Sequence, residues 1–121
     1  MSAKRSKTEL LLSQHALQDL AEIEAFSIAT WGKRTANKYL AGIEAALCRV
    51  RENPELLRRE DGLHKHLRFY RIEKHLLVCD VQPGTIILLT VVHASRDIPS
   101  RLAELEPTLA AEIELLRKQL P

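Results

Sequence analysis

The residues able to do chemistry gather in the second half of this chain. His64 and His66 are two positions apart, so on a strand both imidazoles face the same way. With His75 beyond the next turn they would make a three-nitrogen metal set. No carboxylate or thiolate joins them at a ligand spacing, and we read no metal site here. His93 closes the apolar run Thr85–Val92, a place where active groups often sit. The plainer reading is favoured: its ring bonds a neighbouring backbone group and sets the turn that follows. Arg96-Asp97 reads as a local ion pair. Arg58, Arg59, Lys65, Arg68, Arg71 and Lys74 bring cations to the same region. They suit a phosphate or an acidic protein partner, or form a charged edge that discourages strand-to-strand association.

The elements that position these groups follow from period and punctuation. Thr8–Ser13 reads as a short strand, and Ser13 as the N-cap of a helix over Gln14–Trp31. Leu17, Leu20, Ile23, Ile28 and Trp31 share one half of that helix. Gly32 stops it, because glycine accepts the positive φ that ends helices. A second helix over Lys33–Glu52 carries Ala36, Tyr39, Leu40, Ile43, Ala46, Leu47 and Val50 at steps of three and four, and Asn53-Pro54 ends it. The short link makes the two an antiparallel hairpin, with Trp31, Tyr39 and Phe26 expected in its packing or in the core; Phe26 falls outside the main stripe, and its alternative place is under a protein partner or against the C-terminal helix.

After a polar loop, strands are expected over His66–Ile72, Leu76–Val81 and Thr85–Val92, with turns at Glu73–His75 and Pro83-Gly84. The last is apolar throughout, as a central strand covered on both faces should be. From Pro99 the pattern is helical again, with Leu102, Leu105, Leu109, Ile113, Leu116 and Leu120, and Pro107 is expected to interrupt it and begin a new helix. This stripe either folds back on the sheet, the favoured reading, or pairs with a second copy. The order is β-α-α-β-β-β-α: one α+β domain over 1–121, with a loose tail at 1–7 and a helical extension at 99–121.

Composition agrees. The 121 residues are 45% hydrophobic and 28% charged, as in ordinary globular domains. Nothing suggests a membrane span, a secretory leader or a cofactor, and Cys48 and Cys79 suggest no disulfide framework. A cytoplasmic protein is expected. Net charge is only +2, but Lys33–Lys74 holds 11 basic against 6 acidic residues, between acidic ends. An electropositive middle favours an acidic partner. With 4% aromatic residues and no helix-turn-helix pattern, direct sequence-specific DNA binding by this chain is not expected.

One ordered set of residues carries a family resemblance. It comprises Asp19-Leu20-x-x-Ile23-x-x-Phe26 closing on Trp31-Gly32, and Ala36-x-x-Tyr39-Leu40-x-x-Ile43-x-x-Ala46-Leu47 closing on Asn53-Pro54. Tyr70-Arg71-Ile72 and Val91-Val92-His93-Ala94-Ser95-Arg96-Asp97 complete it. The set resembles the ParE branch of the RelE/ParE superfamily, the toxins of bacterial toxin–antitoxin and plasmid-stabilisation systems. The resemblance implies a helical hairpin on a mainly antiparallel sheet of about four strands, with a cognate antitoxin as partner. It further implies either inhibition of DNA gyrase, as in ParE, or cleavage of messenger RNA on the ribosome, as in RelE. Cleavage needs a general base, a general acid and cations at the phosphate. Arg71 matches the family arginine of Tyr-Arg-Ile, but Ser95 stands where a second catalytic arginine would be, and no Tyr or His follows Asp97. We therefore expect a binding toxin rather than an enzyme, with no catalytic residues, and with Arg58, Arg59, Lys65, Arg68, Arg71, His93 and Arg96 as contacts. A relic that only binds its antitoxin is the further alternative.

Overall fold

The computed structural model describes residues 8–60, 66–95 and 97–118. Lys65 and Arg96, with His64, lie outside the described residues, and so do the tail at 1–7 and Leu120. Strand β1 (Glu9–Leu12) passes through Ser13 into helix α1 (Gln14–Trp31). Ser13 has extended backbone angles, and its Oγ accepts the Ala16 N–H at 3.0 Å, satisfying one of the first-turn amides that no helical carbonyl can reach.

Gly32 alone separates α1 from α2 (Lys33–Glu52). Its φ of 90° and ψ of 162° lie in a region essentially reserved for glycine. There its N–H reaches the Ile28 carbonyl at 2.9 Å, and its carbonyl accepts the Ala36 N–H at 3.0 Å. One residue thus ends one helix and starts the next. At the far end of α2 the Asn53 N–H and side-chain amide both reach the Arg49 carbonyl, at 2.8 and 3.3 Å, before Pro54 opens a short 3₁₀ turn.

Strands β2 (Arg68–Ile72), β3 (His75–Gln82) and β4 (Thr85–His93) complete one sheet in the order β1-β4-β3-β2. The two hairpins are antiparallel, whereas β1 runs parallel to β4. A parallel pair needs a long connection, and the helical hairpin begins it. The first hairpin turns on Glu73 and Lys74, with Glu73 at φ 51°, so His75 belongs to the strand rather than to the expected turn.

Every residue of β4 from Thr85 to Val92 is buried, as its apolar run predicts. On one face Ile86, Leu88 and Val91, with Leu77 and Cys79 of β3, pack under Ile43, Ala46, Leu47 and Val50 of α2. The other face is covered by α3 (Ile98–Lys118), which therefore folds back on the sheet. Leu102 meets Phe69, Leu76, Val78 and Val92, while Leu105 and Leu109 meet Ile87 and Leu89. Each such leucine contributes roughly 1.5–3 kcal/mol by leaving water. That anchoring explains a correction: Pro107 lies inside a continuous helix. The proline removes one helical hydrogen bond, but Leu105 and Leu109, buried on either side of it, hold both halves on the sheet. Glu112 adds a polar tether, accepting the Gln14 and His15 amides at 2.7 and 3.1 Å and so capping α1 from another helix. Arg117 approaches the Asp80 carboxylate at 3.6 Å.

A second correction concerns α1. Leu20 and Ile23 of the expected stripe pack against the core, partly buried beside the enclosed Ala16, Asp19 and Ser27, but the rest of the stripe does not. Leu17 and Ile28 are exposed, and so are Phe26 at 63% and Trp31 at 45%. The reason lies in β4. Its pairing with β3 shifts register between Val78 and Cys79, leaving Leu89 as an extra residue without a partner opposite. The polar groups this bulge releases need partners, and α1 turns its small and polar side toward them.

Candidate functional site

The bulge is met by two side chains. Ser13 donates its N–H to the Leu88 carbonyl at 3.0 Å and its hydroxyl to the Leu89 carbonyl at 2.7 Å. Asp19 accepts the Thr90 hydroxyl and, at 3.0 Å, the Val91 N–H through the same Oδ2. Its other oxygen lies 3.5 Å from His15 Nε2. These contacts rivet α1 to the central strand and set the floor of a cleft of about 390 Å³. Glu22, Phe26 and Trp31 of α1 form one wall, while Lys74, His75, His93 and Arg101 come from the strand ends and from α3.

Three rings line the inner side. Tyr39 Oη accepts the Lys74 N–H at 3.3 Å and lies 2.6 Å from His75 Nδ1. His75 stands edge-on to His93, with ring centres 5.1 Å apart. Burial holds the pKa of His75 down, to about 4, and His93 and Lys74 press the same way against the pull of Asp19. The neutral ring at physiological pH accepts the Tyr39 proton at Nδ1 and keeps its own on Nε2. Burial raises the Tyr39 pKa, opposed in part by the Lys74 amide, so the phenol stays protonated. His93 Nδ1 accepts the Ser95 N–H at 3.1 Å, with the Ser95 hydroxyl at 2.7 Å, tying the strand end to the turn before α3.

The outer side is aromatic and cationic. Phe26 meets Trp31 edge-to-face at 5.9 Å, and Lys74 Nζ lies 5.3 Å from the Trp31 ring centre, a cation–π contact. Arg101 pairs loosely with Glu104 at 3.3 Å.

The cations expected from the sequence fall into two groups. Arg58 pairs with Phe69 through both backbone hydrogen bonds, 2.7 and 2.9 Å, on the outer edge of β2. Arg58 and Arg59 therefore run beside Arg68 and Arg71 as one basic edge. The pleat splits that edge. Arg71 lies opposite Leu76, in the layer facing α3, whereas Arg68 lies opposite Cys79, in the layer facing α2. His93 is elsewhere, in the cleft. Asp97 heads α3, its carboxylate accepting the Ser100 hydroxyl at 2.9 Å, while the expected pair with Arg96 falls outside the described residues. Among the described residues no three His, Cys, Asp or Glu side chains converge to hold a metal ion.

Sequence reasoning missed Lys74, Trp31 and Phe26 as neighbours in one cleft, and Asp19 as its support. A signal was present for Asp19, a carboxylate three residues after Ala16 and four before Ile23, on the side of α1 that turns inward.

Comparison with known proteins fits this architecture. Among the described residues no helix is long and apolar enough to cross a membrane. No curated protein matches the sequence significantly. A solved chain from the chromosomal ParDE toxin–antitoxin system of P. aeruginosa is similar in fold, with a TM-score of 0.66 at 15% identity. The match covers 74% of this chain and 99% of that one. The family model described as the ParE toxin of the type II toxin–antitoxin system parDE matches residues 10–98, from β1 through β4 to the first residue of α3. On that match, which spans most of the sequence, the chain belongs to the ParE toxin family.

Proposed function

We propose that this protein is the toxin of a type II pair, that a cognate antitoxin neutralises it, and that free toxin inhibits DNA gyrase by binding. A cytoplasmic location follows from that target. Membership of the ParE family supports the first part, and the solved relative's ParDE system supports an antitoxin partner. The gyrase target rests on the ParE branch resemblance together with one structural observation. The polar groups buried beside the cleft are already engaged: Asp19 by Thr90 and Val91, and His75 by Tyr39. The cleft turns outward exposed aromatic rings and Arg101, residue types enriched at protein interfaces, with Lys74 beside them. Such a surface suits recognition better than proton transfer.

The test is a supercoiling assay with purified protein, gyrase, ATP and relaxed plasmid. Loss of supercoiling with linear, gyrase-cleaved DNA, suppressed by the antitoxin, is the expected result. Unchanged supercoiling at micromolar toxin would overturn the gyrase reading, and cut messenger RNA on ribosomes would replace it with the nuclease one.

A further inference from the structure

We propose that the cleft between α1 and the β2–β3 turn binds one nucleotide of a single strand, its base against Trp31 and Phe26 and its phosphate between Lys74, His93 and Arg101. The inference does not depend on gyrase, because it concerns the toxin alone.

The argument begins with an oddity of α1. Phe26 and Trp31 are the largest apolar side chains of that helix, and both stand in solvent, 63% and 45% exposed, while Ser27 between them is buried. Ring faces left in water beside cations are the parts from which sequence-tolerant single-strand sites are built: bases stack on the rings, and the backbone follows the charges. Lys74 Nζ at 5.3 Å from the Trp31 ring already brings an ammonium and an aromatic face to the same space. A base on that ring places its own phosphate within reach of the ammonium.

His93 adds a donor. Its Nδ1 accepts from Ser95, so the neutral ring carries its proton on Nε2, and a phosphate oxygen can accept it. Arg101, at the start of α3, lines the same cleft and is held only by an exposed contact to Glu104. The acidic groups do not spoil this assignment. Asp19 binds Thr90 and Val91 through Oδ2 and faces His15 with Oδ1, and Glu22 lines the aromatic side of the cleft, the side assigned to the base. Lys33 and Arg34, exposed directly after Gly32, offer cations for a neighbouring phosphate.

A cleft of about 390 Å³ with rings on one side and cations on the other suits one base and its phosphate.

Trp31 is the only tryptophan, so its emission reports on the site directly. The full-length protein is titrated with an eight-residue single-stranded DNA, the matching RNA, adenosine 5′-monophosphate, inorganic phosphate and a peptide of alternating Asp and Tyr. Saturable quenching by the oligonucleotides is expected, weakened by added salt. Lys74→Ala and Arg101→Ala should each raise the dissociation constant about tenfold, and Trp31→Ala, followed by anisotropy of a labelled strand, should do the same. Unchanged far-UV circular dichroism shows that the variants fold. A preference for DNA over RNA, or the reverse, identifies the strand, and binding of the mononucleotide as tightly as the octamers assigns the site to free nucleotides. No quenching at millimolar strand, quenching indifferent to Lys74 and Arg101, or saturation by the acidic peptide alone would overturn the proposal. A failed gyrase assay would leave this one intact.

Discussion

Removing the carboxylate of Asp19 tests the reasoning about the β4 bulge most directly. In Asp19→Ala the Val91 amide and the Thr90 hydroxyl both lose their acceptor inside the protein. An orphaned buried amide costs about 1–3 kcal/mol, and the hydroxyl, which can rotate toward another acceptor, about 1. Relief from burying a charge opposes this by about 1 kcal/mol. The net expectation is a loss of roughly 1–3 kcal/mol, a sizeable part of the 5–15 typical of a single domain. In urea this appears as a lower midpoint with an unchanged slope, and on heating as a melting temperature about 4–12 °C lower.

Asp19→Asn keeps one oxygen that can accept both donors and should lose only about 1 kcal/mol, the charge-assisted part of the bonds. Thr90→Val should lose about 1–2 kcal/mol alone, and the double variant less than the sum by about 1 kcal/mol, because the two groups share a bond. Two results would refute the account: a loss under about 1 kcal/mol for Asp19→Ala, or strict additivity with Thr90→Val.

Four further outcomes follow. Gly32→Ala should destabilise by about 1–3 kcal/mol in chemical denaturation, because its backbone is one that side-chain-bearing residues avoid, although a methyl group there would meet nothing within 4 Å. Burial, His93 and Lys74 hold the folded pKa of His75 near 4, so the unfolded chain takes up a proton first as pH falls: stability should be full above about 6.5 and decline until about 4. Allowing for the ring's partial exposure, roughly 1–2 kcal/mol should be lost across that window, and His75→Gln should flatten the profile in urea titrations from pH 8 to 4. Cys79 is fully buried with its thiol pKa pushed up to about 12, so a thiol reagent should modify one cysteine in the native protein, the exposed Cys48, and the second only on unfolding. Arg71→Ala should leave toxicity in an induced culture within a few-fold of the parent if the toxin acts by a broad contact, whereas a loss of several hundredfold would speak for a nuclease.

Much of the frame was legible because its punctuation is chemical. Ser13, Gly32 and Asn53-Pro54 bound α1 and α2 at the residues observed, and the apolar run of β4 announced burial on both faces. The faces of α1 were legible in part: Leu20 and Ile23 pack on the core as their period predicts, but periodicity cannot announce a bulge whose Thr90 hydroxyl and Val91 amide require Asp19. That requirement arises from pairing between distant strands and leaves no periodic trace. The split of Arg68 from Arg71 was readable, since residues three apart on a strand face opposite ways. Parallel pairing of β1 with β4 was not, because nothing in four residues distinguishes one neighbour from another. Pro107 misled for a related reason, as a local rule against proline was outweighed by leucines buried on both sides of it.

The two faces of the sheet now carry different meanings. The family match ends at residue 98, where α3 begins, yet the burial of Ile87, Leu89 and Val78 depends on that helix. A body made only of the shared elements would present those side chains to water, and a patch of that kind calls for a cover. Here the chain covers itself, and Glu112 ties the cover to the first turn of α1. The outer side of the helical hairpin, the basic edge of β2 and the cleft are left uncovered by α3. The cleft is where all parts of the chain meet, since α1, α2, both strand ends and α3 each contribute to it. Its rings and cations are set by the same bulge contacts that stabilise the fold, so losing Asp19 should loosen the binding surface along with the core.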